Sequence, residues 1–270
     1  MNLEVCILGS GSAGNAIYVA SKTTRILIDA GLSARQVALR LAELGVEPEQ
    51  MNGICISHEH GDHINGLRVL QKRHGISVYA NAGTLNGIRQ KISPEQLAVK
   101  VFQTGSSFQI GDLLIEPFSV PHDALEPVGF RLQTADMAVG VVTDLGIATT
   151  LVREKLRGCH ALIVESNHDE DLLQEAPRPW SLKQRIRSRQ GHLSNIAAAE
   201  LIADCAGEEL EHVFLSHLSS DCNTPEIALQ TVASQLRLDG LGYISLEVSR
   251  PDRISSCWRS EGVATLSSVS

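Results

Sequence analysis

At 270 residues, 43% of them apolar, the chain is long enough to bury a full core and too apolar for bulk disorder. Its formal charge of −8 argues against a surface coated with positive field for nucleic acid, although bound divalent cations would change the balance locally. No apolar run approaches the ~20 residues that cross a bilayer, and Met1-Asn2-Leu3-Glu4 lacks the basic region that opens a signal peptide. A cytoplasmic protein with no membrane partner is expected.

Taken in chain order, β-type runs are expected over residues 4–8, 16–20, 25–28, 53–57, 113–120, 129–132, 138–142, 161–164, 213–216 and 242–246. Helical patterns cover 34–44, 64–73, 81–91, 150–157, 195–206 and 225–236, with Ser194 and Thr224 as N-caps and Pro225 at the first helical position. Early strands come as hairpin-like pairs and later ones alternate with helices. This suggests a mixed α/β layered fold, read as one domain over 1–270 with a Ser-rich tail at 261–270. Six scattered cysteines show no CxxC pair and read as small buried hydrophobes.

Gly9, Gly11 and Gly14 imitate a dinucleotide-binding fingerprint. The β-type run at 15–20 that follows leaves no helix N-terminus for a pyrophosphate, so a tight hairpin near the floor of a site is the better reading.

The chemistry-bearing segment is Ser57-His58-Glu59-His60-Gly61-Asp62-His63, between a strand and a helical pattern. Imidazoles and carboxylates at this density suit zinc or manganese, and as a bare polar loop they would only repel one another. His58 and His60 alternate and can point the same way, while Gly61 lets Asp62 and His63 turn toward a second ion. His122, Asp144 and His217 each follow a later apolar run, and side chains at neighbouring strand ends converge on one sheet edge.

This series, His58-x-His60-x-Asp62-His63 with His122, Asp144 and His217, resembles the metal ligands of the metallo-β-lactamase superfamily; Leu27-Ile28-Asp29-Ala30-Gly31 resembles its second strand. The resemblance implies an αββα four-layer sandwich. It also implies two divalent ions (Zn, Mn or Fe), the first held by His58, His60 and His122, the second by Asp62, His63 and His217, with Asp144 between them. Glu165-Ser166-Asn167-His168-Asp169 and Gly191-His192-Leu193-Ser194-Asn195 are similar to elements of tRNA-processing phosphodiesterases. With His217-Leu218-Ser219 and Asn223-x-Pro225, the whole pattern is most similar to the YycJ-like (WalJ) exonucleases, with Cys222 where an asparagine is expected.

That likeness implies a 5′-to-3′ exonuclease that hydrolyses phosphodiesters in 5′-phosphorylated DNA, with RNA as the second candidate. Asp62 or Asp144 would orient the nucleophile, and His192, held by Glu165, would protonate the leaving oxygen. Independently of resemblance, Ser194 and Asn195 open an Ala-rich helix whose N-terminus favours an anion. Arg178, Lys183, Arg185, Arg187 and Arg189 fall in an acid-free stretch with Trp180 available for stacking, so Ser194, Asn195, Arg185, Arg187 and Arg189 are expected to contact substrate, and the resemblance adds Ser219 and Asn223. The alternative, thioester hydrolysis of the glyoxalase II type, uses the same metal ligands without Glu165, His192 or the basic stretch. Glu59, His74, His160 and His212 read as non-ligands, and His168 as a cleft residue at most.

Overall fold

The computed structural model describes residues 3–93 and 96–260; the expected tail at 261–270 lies outside them. The first half opens with β1 (Glu4–Gly9), β2 (Ala16–Ala20) and β3 (Arg25–Ile28), then α1 (Ala34–Glu43), β4 (Gly53–Cys55), α2 (Gly61–Ile64), α3 (Leu67–His74), β5 (Val78–Ala80), α4 (Ala82–Lys91) and β6 (Val99–Val101). The second half runs β7 (Phe108–Ile110), β8 (Leu113–Ser119), β9 (Val128–Gln133), β10 (Ala138–Val142), α5 (Thr150–Leu156), β11 (Ala161–Glu165), α6 (Glu170–Glu175), α7 (Trp180–Ile186), α8 (Asn195–Cys205), β12 (His212–Ser216), α9 (Pro225–Leu238), β13 (Ser245–Val248) and β14 (Trp258–Arg259).

Two seven-stranded sheets result, in the orders β14-β1-β2-β3-β4-β5-β6 and β13-β12-β11-β10-β9-β8-β7. Each is antiparallel where strands follow as hairpins and parallel where helices intervene, as β3–β4 and β10–β11 illustrate. The period-2 alternation of the strands decides the layering. Ile26 and Ile28 of β3 and Ile163 of β11 enter a core shared between the sheets, with Val5, Phe130, Val141 and Phe214. Leu27 faces the opposite way, onto Val37 and Leu41 of α1 and Leu67 and Leu70 of α3. Leu162 and Val164 likewise meet Val152 of α5, Ala198 and Ile202 of α8, and Val232 of α9. Three apolar layers between four layers of structure make the expected αββα sandwich.

The deviations from the sequence reading have local causes. Strands β5, β6 and β7 are three residues each, too short to show a period. The helical pattern at 64–73 is broken at Asn65-Gly66, because the chain there passes against the carbonyls of Ala30 and Leu32, where a Cβ on residue 66 would collide. Helices α6 and α7 were not expected; their few apolar residues, Leu173, Ala176, Leu182 and Ile186, close over Cys222 in a small satellite core. The strand expected at 242–246 begins later, at Ser245. The six cysteines are free, and five are buried.

Candidate metal centre and catalytic cleft

The site is built where strands stop. β3 ends before Asp29, β4 leads into residues 57–63, β8 into His122, β10 into Asp144, β11 ends on Glu165, and β12 leads into His217. Among the described residues, the non-glycine positions with positive φ are Asp29 (63°), Asp144 (58°) and His217 (56°). L-residues adopt that conformation at a cost, and a chain keeps it where the surroundings over-determine it. Here it turns each side chain out of its strand and toward one common volume.

Four overlapping groups of ligand atoms lie within 4.8 Å of one another: His58, His60 and His122; Asp62, His63 and His217; His58, His63 and Asp144; and Asp144, Glu165, His192 and His217. The first two are the sets that the family resemblance implies, and Asp144 belongs to both of the others. Its Oδ1 is 3.4 Å from His217 Nδ1 and 3.8 Å from His122 Nε2. Its Oδ2 is buried and makes no hydrogen bond, although His63 Nε2 lies 3.2 Å away. A buried carboxylate oxygen without a donor, ringed by imidazoles, fits a divalent cation and little else.

The imidazoles are held from behind. His58 Nδ1 meets Ser57 Oγ (3.0 Å), His63 Nδ1 meets Asp29 Oδ2 (2.7 Å), His122 Nδ1 meets the Gly191 carbonyl (3.2 Å), and His217 Nδ1 meets Glu165 Oε1 (2.8 Å). In each case Nε2 is left facing the cluster. His60 is the exception, turning Nδ1 toward Nε2 of His58 (3.0 Å) and of His122 (3.3 Å). Such outer hydrogen bonds fix the ring orientation and tautomer that a metal requires.

Glu165 is fully buried and shared. Oε1 also takes His192 Nδ1 at 2.7 Å, while Oε2 accepts the amides of Leu145 and Leu193. With Nδ1 so engaged, His192 has Nε2 for the cleft, which it lines with Ser12, Arg178, Arg185, His217 and Ser219 around about 160 Å³.

A scan against known protein families matches residues 24–218 to the beta-lactamase superfamily domain. The chain belongs to the beta-lactamase superfamily. Within it, the chain is 37% identical over 245 residues to "Exodeoxyribonuclease YycJ" of Bacillus anthracis, covering 90% of this chain and 92% of the relative. It is 36% identical over 247 residues to "Exodeoxyribonuclease WalJ" of Streptococcus pneumoniae serotype 2, with 90% and 91% covered. The metallo-beta-lactamase fold protein YhfI from Bacillus subtilis superposes with a TM-score of 0.74 at 16% identity, over 96% of this chain and 99% of that one, a likeness of fold. Divalent-metal binding is typical of this superfamily, and the His/Asp cluster fits it.

The electrostatics of this beta-lactamase superfamily site are those of charge sharing. Burial works against ionisation of Asp144, but His217 and His63 outweigh it and hold the carboxyl well below its usual range. Burial likewise opposes the charge on Asp62, and hydrogen bonds from His217 and His63 again win. The reciprocal effect raises His63, against burial, through Asp29 and Asp144, and lifts His217 to about 10 through Asp144, Asp62 and Glu165. Glu165 falls to about 2 because His192 outweighs its burial, and His192 rises in turn. His58 and His60 move down, first through burial and then through neighbouring imidazoles. Protons on His63 and His217 thus stand in for cations among the carboxylates.

The expected substrate-contacting residues divide. Arg185 and Ser219 line the cleft; Arg185 Nε donates to Asp123 Oδ2 at 2.6 Å, an ion pair joining α7 to the loop that carries His122. Arg187 is turned away, donating to Gln174 Oε1 and the Glu170 carbonyl on α6. Arg189 is exposed and outside the residues lining the cleft. Ser194 and Asn195 lie behind the wall instead of on it. Ser194 Oγ caps Ala197, and the Asn195 amide is spent on Ser166 and Asn223, so the N-terminus of α8 is occupied by protein. Trp180 is 59% exposed at the start of α7. His168 is buried with Nδ1 unpartnered, and its pKa drops to about 4 through burial.

Asn15 and Asp123 escaped the sequence reading. Asn15 Nδ2 reaches Asp62 Oδ2 (3.3 Å) and His63 Nε2 (3.2 Å), while its Oδ1 accepts Ser10 Oγ and the Gly11 amide. Ser10 Oγ in turn accepts the His217 amide. The glycine-rich turn is therefore a buttress of the cluster. The available signal was the position of Asn15, directly after three spaced glycines and before a strand.

Proposed function

We propose that this metal-dependent hydrolase is a nuclease that removes nucleotides from the 5′ end of DNA, with RNA as the lesser substrate. The observation that carries the reading is the Glu165–His192 pair at 2.7 Å beside the metal-type cluster, in a chain so similar over its length to relatives named exodeoxyribonucleases. We assign His58, His60 and His122 to one cation, Asp62, His63 and His217 to a second, and Asp144 to both. Zinc, manganese and iron all match this donor set. When bound, such a pair supplies a water acidic enough to act as nucleophile and positive charge to match that of a phosphoryl transition state.

The chain's own residues do the rest. Asp62, fixed by Asn15, orients the attacking water. Glu165 keeps His192 protonated, and Nε2 delivers that proton to the leaving oxygen, avoiding release of a bare alkoxide. Arg178 and Arg185 draw the backbone phosphates toward the cleft. The Glu165–His192 pair is superfluous for thioester hydrolysis, whose thiolate leaves without protonation, so that alternative is not favoured. No helix among the described residues is long and apolar enough to cross a membrane. The unpaired cysteines suit the reducing cytoplasm, where we place the protein.

The test pairs metal analysis with end-labelled strands. The wild-type protein should carry about two divalent ions per chain and shorten 5′-phosphorylated DNA from that end. His60→Ala should lose metal and activity together. His192→Ala should retain metal and lose roughly 10²–10⁴-fold in rate. Equal loss of metal and rate in His192→Ala would remove it from the proton-donor role.

A further inference from the structure

The cleft over the metal cluster is too small for a nucleotide, but it does not end there. Across Ser12 and Ser219 it continues into a second cavity of about 670 Å³, between the β1–β2 turn, residues 218–226 and residues 249–252. This volume falls within the ~300–1,000 Å³ of sites that enclose one small organic molecule. Its character differs from that of the cleft. Leu218, Pro225 and Pro251 supply flat apolar surface, and its arginine, Arg250, is matched by Glu226 at 3.6 Å. The cavity holds one arginine where the cleft holds two, and it adds apolar faces and serine hydroxyls that suit a sugar and base.

The walls are braced. Arg40, buried on α1, donates from Nη1 to the Leu8 carbonyl at 2.5 Å and from Nη2 to the Pro251 carbonyl at 2.8 Å. The Ser10 amide donates to the Arg250 carbonyl, and the Ser249 amide to the Leu215 carbonyl. The turn, the strand end and the 249–252 segment therefore hold their spacing before anything binds, which lowers the cost of binding.

Resting on the nuclease reading, we propose that this cavity receives the sugar and base of the nucleotide on one side of the scissile phosphate, while α6 and α7 hold the backbone on the other. The linings fit that division: the cleft carries two arginines, Arg178 paired with Asp221 and Arg185 paired with Asp123, and meets the cavity at Ser12 and Ser219. A cavity for one nucleoside takes a base out of its stack and pair, so the substrate at the point of cutting is a single strand or a frayed end.

The experiment uses metal-loaded full-length protein and deoxyadenosine, a nucleoside without phosphate. Asp252→Trp and Ser220→Trp each add bulk at the cavity wall, at exposed positions outside the metal-type cluster. Deoxyadenosine should give saturation-transfer signal with the wild type and lose it in both variants. Both variants should keep their metal content and circular dichroism while KM for a 5′-phosphorylated single strand rises tenfold or more. No deoxyadenosine signal from the wild type, or its persistence in both variants, overturns the proposal. Bound deoxyadenosine in a wild-type protein that leaves every strand intact would instead remove the nuclease reading and leave the cavity assigned to a nucleoside.

Discussion

His168 shows how a single buried group writes itself into the behaviour of the chain. Its ring is 2% exposed, lacks a partner at Nδ1, and is held to a pKa of about 4 by burial. An unfolded histidine titrates near 6.5. As pH falls from about 6.5 to about 4 the unfolded chain takes up a proton that the folded one refuses, so stability declines across that window and not above it. The gap corresponds to about 3 kcal/mol, reached only at the acid end. Urea denaturation of metal-free protein at pH 7 and pH 5 should show the loss, and His168→Phe, which cannot titrate, should flatten it. An unchanged slope would mean that His168 finds a donor or water.

Also at this scale, Asp29 and Asn15 are predicted to position rather than react. Asp29→Ala would leave His63 Nδ1 and the Ser57 amide without their 2.7 and 2.8 Å acceptors, and the new residue would keep a φ of 63° that alanine resists. Metal affinity should fall roughly 10–100-fold, the usual effect of removing an outer-shell partner. Asp29→Asn tolerates the conformation and should recover part of it. Equilibrium dialysis against a competing chelator separates these outcomes, and equal losses for both substitutions would refute the positioning role.

Among the elements, the pair α6 and α7 is where sequence and structure parted most. The ligand histidines and Asp144 were legible because each sits at the end of a strand whose apolar run announces it, and strand ends converge. Such runs made the strands of a mixed α/β layered fold legible, whereas the four-layer sandwich was implied by the resemblance to the metallo-β-lactamase ligand series. Nothing comparable marks residues 170–186, whose helices are short and pack four side chains against Cys222 in a core of their own. The row of arginines was visible, but which of them faces the cleft depends on that packing. Arg178 and Arg185 line it, and Arg187 is committed to α6. Each phosphate contact on a single strand contributes about 0.7 to the slope of log affinity against log salt. Arg178→Ala and Arg185→Ala should each lower that slope by roughly this amount, and Arg187→Ala should leave it unchanged. Titrations of an oligonucleotide at several salt concentrations decide it; a steeper loss for Arg187→Ala would put the binding face on the other side of α7. Asn15 was illegible for a further reason. Its partners lie 47 and 48 residues away, and a glycine-rich turn carries no periodicity to reveal them.

At the scale of the whole molecule, a chain of net charge −8 gathers buried carboxylates at one sheet edge and needs positive charge there to stay folded. Protons on His63 and His217 serve in the metal-free protein, and cations displace them. His217 at about 10 lies above the unfolded value of ~6.5, so its contribution is complete below pH 6.5 and drains away as pH rises toward 10. The metal-loaded protein behaves oppositely. Binding must expel those protons, so affinity strengthens with pH, by about 1.4 kcal/mol per pH unit for each proton released. The two stability curves should diverge as pH is raised from 6 to 8.5. With metal a thousandfold above Kd, the loaded protein gains about 4 kcal/mol, or roughly 8–16 °C in Tm for a chain of this size. Thermal melts with and without a chelator at intervals across this range measure the gap directly. A gap that stays constant with pH would mean that no proton leaves when metal arrives, and the charge-sharing account of the site would fall with it.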